Sequence, residues 1–485
     1  MDRDRSEYDL IIANGQVVDG LGTPPARADV GLRGDRIAAV GDLAAATAVA
    51  RFDATGQVVA PGFIDVHSHD DQAVFLRATS LPKLSQGVTT VVVGNCGISL
   101  APLRLPGQPP APLTLLGGRE RFCYDTFSQY VEALRAAALT LNVVALVGHG
   151  TLRVQHLRDW SGPATPGETA AMVLEVEAAM AAGAAGLSCG LSYPTSLGAE
   201  TAEVVALARA AGAGGGRFCL HVRDEYDGVA AAVREGFQCA RQSGAFLVLS
   251  HQKVAGTANR GHSADLIRIY DAESRDVPFA LDAYPYTAGS TVLDPVSVAQ
   301  SEQVLVTWSQ PHPEVAGQAL ADIVQTWACT EAEAIARLQP AGAVYFHMLE
   351  ADVDRFLKDV RCMVGSDGLP HDEHPHPRLW GAFARILGVY VHDRALFTLE
   401  EAVHKMTALP ASVFGLRDRG RVQPGCFADL VVFDPERVRD AATYAEPTRP
   451  AQGIAAVFVN GRQAWPEGPA GPGAFGRFLP GTKDS

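Results

Sequence analysis

Positive charge is scarce in this chain. Its 40 lysines and arginines stand against 54 acidic residues, a formal net charge of -14. That balance argues against nucleic acid or an anionic membrane surface as partner, because both recruit proteins through basic patches. Paired cysteines are missing too. The eight cysteines, at positions 96, 123, 189, 219, 239, 329, 362 and 426, contain no Cys-x-x-Cys and no short regular spacing, so neither a disulfide framework nor a zinc finger is expected. No apolar run approaches the ~20 residues of a membrane helix. The first residues, Met1-Asp2-Arg3-Asp4-Arg5-Ser6-Glu7, lack the apolar stretch of a secretion signal, and the expectation is a cytoplasmic protein acting on a small molecule. No phosphate loop ending in Gly-Lys-Ser/Thr occurs. Gly212-Ala213-Gly214-Gly215-Gly216 follows a predicted helix and precedes a predicted strand, the reverse of a dinucleotide site.

What is present is apolar material in regular doses. Hydrophobic residues make up 47% of the 485 positions, and a chain this long exceeds one ordinary core, so a large domain plus a smaller one is expected. Both ends read as short strands between turns: Tyr8–Ile12, Gly15–Val18 and Arg36–Val40, then Asp429–Phe433 and Ile454–Val459 before Asn460-Gly461. The long middle alternates. Apolar strand candidates lie at 58–66, 88–94, 142–147, 185–189, 217–221, 245–250, 278–283 and 361–365, with alanine-rich helical stretches such as Glu168 to Ala182 and Ala199 to Ala211 between them. Strands alternating with helices in this number predict a (β/α)8 barrel. The expected division is residues 1–60 with 416–485 as a small β-sandwich domain and 61–415 as the barrel. An insertion or lid, about 286–345, holds a helix near Thr330 to Leu338. Leu103 to Pro112 reads as a loop.

The chemistry sits where the strands end. His67 and His69 close the first run two residues apart, so both side chains project to one side. Later runs end at Cys96, in Gly94-Asn95-Cys96-Gly97, at His221, at His251 and at Asp367, in Gly365-Ser366-Asp367-Gly368. In a barrel these ends converge on the C-terminal face, where such enzymes place their active sites. Imidazoles with one thiolate and one carboxylate suit zinc. A carboxylate beside metal-activated water can take a proton and later deliver it, so metal-assisted hydrolysis is the implied reaction. His371, His374 and His376 fall in a proline-broken loop and read as a rim leading to Arg378 rather than as ligands.

These segments resemble the N-acyl-D-amino-acid deacylases, or D-aminoacylases, of the amidohydrolase superfamily. The resemblance runs through Ala60-Pro61-Gly62-Phe63-Ile64-Asp65-Val66-His67-Ser68-His69-Asp70-Asp71, Gly94-Asn95-Cys96-Gly97, Ser250-His251-Gln252-Lys253 and Tyr284-Pro285-Tyr286. It continues in Gly365 to Asp372, His376 to Gly381 and Gln423 to Val431. It implies that Cys96, standing where many binuclear relatives use a carboxylated lysine, joins His221 and His251 around a tightly bound zinc. The candidate fourth strand accordingly carries no lysine. His67, His69 and Asp367, sharing Cys96, would form a weaker second site, and Asp367 would be the general base and acid. Lys253, Tyr284, Ser290 and Arg378 match positions that bind and orient the substrate's α-carboxylate. Members acting on D-glutamate derivatives are expected to carry a cation after Tyr-Pro-Tyr. Thr291 to Ala299 has no Arg or Lys, so neutral, mainly hydrophobic D-amino acids such as leucine, methionine or phenylalanine are expected. The alternatives are an N-acyl-D-glutamate or -aspartate deacylase, a cyclic-amide hydrolase of the hydantoinase or dihydropyrimidinase type, and a catalytically dead barrel serving as a binding module.

Overall fold

The computed structural model describes residues 6–466 and 473–481. Its eight barrel strands are, in order, Phe63–Asp65, Val88–Val93, Asn142–Ala145 continued by Val147–Gly148, Gly186–Gly190, Arg217–His221, Phe246–Leu249, Phe279–Ala283 and Cys362–Val364. Neighbours pair in parallel. A parallel bridge from Ser68 to Gly368 closes the last strand against the first. Alternation sorts the side chains. Ile64, Val66, Val92, Val144, Val248, Ala280 and Met363 fill the barrel's interior, while Phe63, Val91, Val93, Val143, Leu247 and Leu281 pack outward in the main core. The helix Pro166–Ala182 shows how locally the crossovers are specified. Thr165 and Glu168 form a capping box, proline takes the first turn, and Gly183 ends the helix at φ 108°.

Strands from both ends share one eight-stranded sheet, the frame of the β-sandwich domain. Tyr8–Val17, Ala26–Arg33, Arg36–Gly41, Ala48–Asp53 and Val58–Pro61 are joined there by Leu430–Phe433, Ile454–Val459 and Arg462–Trp465. Ile12, Val30, Leu32, Val59, Leu430, Val432 and Phe458 make its separate core. No helix among the described residues is long and apolar enough to cross a membrane.

Several sequence expectations are corrected. The run 58–66 is not one strand. It breaks at Gly62, with Val58–Pro61 pairing antiparallel to Leu430–Phe433 and Phe63–Asp65 pairing parallel to Val88–Val93. Any Cβ at Gly62 would lie 2.3 Å from Thr89 Cγ2, so only glycine passes between the two sheets. The first two predicted strands are one, Tyr8–Val17, kinked by a bulge at Asn14, where φ is 65°. The supposed loop from Leu103 begins as a strand, Leu103–Arg104, paired with Cys123–Tyr124.

Between barrel strands seven and eight the chain builds a three-stranded antiparallel sheet from Ala288–Val292, Gln303–Ser309 and Ala341–Phe346. The helices Leu320–Trp327 and Glu331–Leu338 cover it. Val304, Val306, Ile323, Ile335, Leu338 and Tyr345 form its own core. This segment sits over the barrel mouth and walls the cavity there.

Candidate metal centre

Hydrogen bonds at the seam between strands one and eight assemble the first half of the cluster. The Asp367 backbone N–H donates to His67 O at 2.7 Å, and the His69 N–H donates to Gly368 O at 3.3 Å. His69 Nε2 then lies 3.2 Å from Asp367 Oδ1, and His67 Nε2 lies 3.6 Å from the same oxygen. Cys96 Sγ stands 3.1 Å from His67 Nε2 and 3.2 Å from His251 Nε2, which is itself 2.9 Å from His221 Nδ1. Two overlapping groups result: His67, His69, Cys96 and Asp367, and Cys96, His221 and His251, with the ligand atoms of each within 4.8 Å of one another. All six residues are buried. Ligand atoms around a tetrahedral zinc lie about 3.3 to 3.8 Å apart, and the observed spacings come within a few tenths of that range. Soft thiolate, imidazole and carboxylate are also a zinc donor set. The residues fit the metal.

The backbone is bent to achieve this. Cys96, His251 and Asp367 have φ of 54°, 33° and 49°, left-handed values held by few non-glycine residues among those described. Each costs on the order of 1–3 kcal/mol, strain of a kind that concentrates at functional sites. Gly365 makes room for the seam, since a Cβ there would lie 2.5 Å from His67 Cβ.

Charged neighbours aim the ligands. Asp282 Oδ1 lies 3.2 Å from His67 Nδ1 and accepts the His251 backbone N–H at 2.8 Å, turning His67 Nε2 toward Cys96. Glu225 Oε1 lies 3.1 Å from His251 Nδ1 and 2.5 Å from Lys253 Nζ. Lys253 Nζ also lies 2.7 Å from His251 Nδ1. Lys253, Glu225 and His251 Nδ1 thus form one buried network behind the ligand. Burial opposes ionisation of Cys96, yet the charges of His67 and His251 hold its thiol well below its ordinary value. Burial likewise opposes ionisation of Asp367, and Arg378 and His251 overcome it, keeping the carboxyl well below the usual range.

A cavity of about 520 Å³ opens over the cluster, with His221, His251, Asp367, Lys253, Tyr284 and Ser290 in its wall. The Tyr284 and Ser290 hydroxyls are buried without hydrogen-bond partners. Arg378 stands behind this wall, fully buried. Its Nη1 is 2.8 Å from Asp367 Oδ2, its Nη2 donates to Ser290 O at 2.9 Å, and its guanidinium covers the Tyr284 ring at 4.6 Å. His376 accepts the Arg378 N–H at 2.9 Å, and His374 bonds Tyr444 O at 2.7 Å. Neither belongs to a metal-capable group among the described residues. Sequence reasoning missed Asp282, Glu225 and Lys83. Lys83 Nζ, fully buried, reaches Asp65 Oδ2 and Ser366 Oγ at 2.7 Å and Asp70 Oδ2 at 3.1 Å, tying strand one to strand eight beneath the cluster. For Asp282 a signal existed: a carboxylate inside the apolar run Phe279-Ala280-Leu281-Asp282-Ala283.

A closed parallel barrel with a thiolate, imidazoles and a carboxylate at its C-terminal mouth defines a metal-dependent hydrolase scaffold. The Amidohydrolase family model matches residues 51–236 and 251–464. A D-aminoacylase of Alcaligenes xylosoxydans xylosoxydans is 48% identical over 96% of both chains. An N-acyl-D-glutamate deacylase of the same organism is 50% identical over 96% of this chain and 95% of its own. The crystal structure of an N-acyl-D-glutamate deacylase from Bordetella bronchiseptica, complexed with zinc and a phosphonate mimic of the tetrahedral intermediate, superposes with a TM-score of 0.94. It is 48% identical, over 98% of this chain and 100% of that one. The chain belongs to the amidohydrolase family and, within it, to the D-aminoacylase group.

Proposed function

We propose that this protein is a zinc-dependent N-acyl-D-amino-acid deacylase, cleaving the amide of neutral, mainly hydrophobic substrates to a carboxylic acid and a free D-amino acid. The observation that carries this reading is the pair of ligand groups sharing Cys96 under a cavity lined by unpartnered polar groups. Cys96, His221 and His251 would hold the tight zinc. His67, His69 and Asp367, with Cys96, would make the weaker second site. When bound, zinc acts as a Lewis acid on the amide carbonyl and brings water's ionisation near neutral pH.

The rest of the chemistry belongs to the chain. Lys253, Tyr284 and Ser290 in the cavity wall bind the α-carboxylate, and Arg378, paired with Asp367 and under the Tyr284 ring behind that wall, orients them. Asp367, ionised beside Arg378, takes a proton from the attacking water. The acyl carbon keeps the water's oxygen, the C–N bond breaks, and Asp367 returns the proton to the departing nitrogen. Acidic groups in the cavity wall, Asp224, Asp227 and Asp294, and the engagement of Arg223 by Glu235 at 2.8 Å support a neutral side chain over a D-glutamate or D-aspartate one. The cyclic-amide alternative is disfavoured by the absence of lysine from Gly186–Gly190 and by deacylase relatives at this level of identity.

The same proposal includes the division into residues 1–60 with 416–485 and 61–415, with 286–345 inserted. It also includes a cytoplasmic location, which eight unpaired cysteines suit, and a small-molecule substrate rather than nucleic acid. The test is a panel of N-acetyl-D- and N-acetyl-L-amino acids with zinc-loaded protein. Release of D-leucine, D-methionine and D-phenylalanine is expected. Efficient cleavage of N-acetyl-D-glutamate with poor use of N-acetyl-D-leucine would overturn the side-chain reading, and cleavage of a hydantoin alone would overturn the activity.

A further inference from the structure

His347 directly follows the last strand of the inserted sheet and lines the cavity, yet it takes part in neither ligand group. It is 4% exposed, and its Nε2 has no hydrogen-bond partner. The other ring nitrogen is accounted for. Nδ1 lies 3.5 Å from Ser301 Oγ, whose own proton goes to Ser297 O at 2.7 Å. With its proton given to Ser297, Ser301 is placed to accept from the ring, an arrangement that assigns the hydrogen to Nδ1 and the lone pair to Nε2. Burial, then the charge of Lys253, lowers the ring's pKa to about 4, so the imidazole is neutral under working conditions.

The unpaired Nε2 is buried in the cavity wall, beside the carboxylate-binding residues. A Cβ on Gly289 would sit 3.3 Å from His347 Nε2 and 3.6 Å from the Tyr284 hydroxyl. Glycine thus keeps any side chain from standing between the two polar atoms. The surrounding wall is aromatic. Tyr345 lies parallel to the His347 ring at 6.1 Å and 13°, Tyr226 meets it edge-on at 5.8 Å, and Tyr193 lines the same cavity. Flat rings wall the space, and a buried acceptor waits in it.

We propose that His347 is a specificity-determining residue, selecting N-acyl-D-amino acids whose aromatic side chain carries a hydrogen-bond donor, of the D-tyrosine or D-tryptophan kind. The phenol O–H or indole N–H donates to Nε2. A ring without a donor leaves that acceptor dry and unpaired, which is how a polar subsite rejects an apolar analogue. The acidic wall residues Asp224, Asp227 and Asp294 disfavour an anion in the same place. This inference rests on the deacylase reading and ranks donor-bearing aromatic substrates above D-leucine, D-methionine and D-phenylalanine, which are still cleaved.

The experiment compares kcat/KM for N-acetyl-D-tyrosine and N-acetyl-D-phenylalanine with zinc-loaded wild type and His347→Phe, which keeps a flat ring and removes the acceptor. A tyrosine preference of about tenfold in wild type, collapsing to near parity in the variant, is expected. Equal use of the two substrates by wild type overturns the proposal, whether or not His347→Phe folds. A preference that survives the substitution overturns it as well. Gly289→Ala gives a second variant, whose methyl stands between the two polar atoms and is expected to cut the tyrosine substrate more than the phenylalanine one; the reverse order counts against the proposal. Failure to hydrolyse either substrate, or N-acetyl-D-leucine, overturns the deacylase reading and this one with it.

Discussion

The barrel mouth and the inserted sheet meet at one cavity but are built by opposite rules. At the mouth, ligands come from strand ends up to 300 residues apart, and their positions are set by barrel topology, a strained backbone and buried charge. The inserted sheet is an ordinary small fold with its own apolar core, and it contributes Ser290, Tyr345 and His347 to the wall. The lesson is a division of labour. On the proposed reading, the mouth carries the reaction and the insertion carries the substrate preference. That reading predicts that a lesion in the mouth removes chemistry or metal, whereas one in the insertion changes preference while the metal stays.

The sharpest way to break that division is Asp367→Asn. Turnover is expected to fall by about a thousandfold or more, since general acid-base transfer is lost, with one equivalent of zinc still bound by Cys96, His221 and His251. Full activity in this variant, assayed on N-acetyl-D-leucine beside a zinc determination, would refute the role. Next is Lys83→Met, which leaves Asp65 and Asp70 buried without their cation. A loss of about 3–5 kcal/mol in denaturant unfolding is expected, together with weakened binding at the second metal position. Arg378→Lys removes the fork beside Asp367 and Ser290. It should raise KM by about ten- to a hundredfold, as a lysine is no substitute in a bidentate site. The smallest effect comes from the insertion. Ile323→Val in its core should cost about 1 kcal/mol, with zinc content unchanged. Metal loss from that variant would show that the two regions are not separable.

The sequence made the mouth legible because short, continuous apolar runs mark the strands and the polar residues that stop them mark their ends. His67, His69, Cys96, His221, His251 and Asp367 each stop such a run. The neighbours that aim these ligands left weaker traces. Glu225 lies in a loop four residues past His221, where no periodicity assigns direction. Lys83 sits on the short helix Arg77–Leu84 and looks like any solvated lysine until burial reveals otherwise. The insertion could be bounded but not drawn, because antiparallel pairing of Ala288–Val292, Gln303–Ser309 and Ala341–Phe346 depends on contacts up to 58 residues apart. The break at Gly62 stayed hidden for a related reason. Residues 58–66 are uniformly buried on both sides of it, so hydropathy does not change where the chain passes from one sheet to the next.

Zinc K-edge X-ray absorption on protein carrying one equivalent of metal tests the central claim most directly. One sulfur ligand at about 2.3 Å with nitrogen or oxygen completing the shell, and loss of that sulfur in Cys96→Ser, is the predicted result. A zinc surrounded by nitrogen and oxygen alone in the unaltered protein would contradict it.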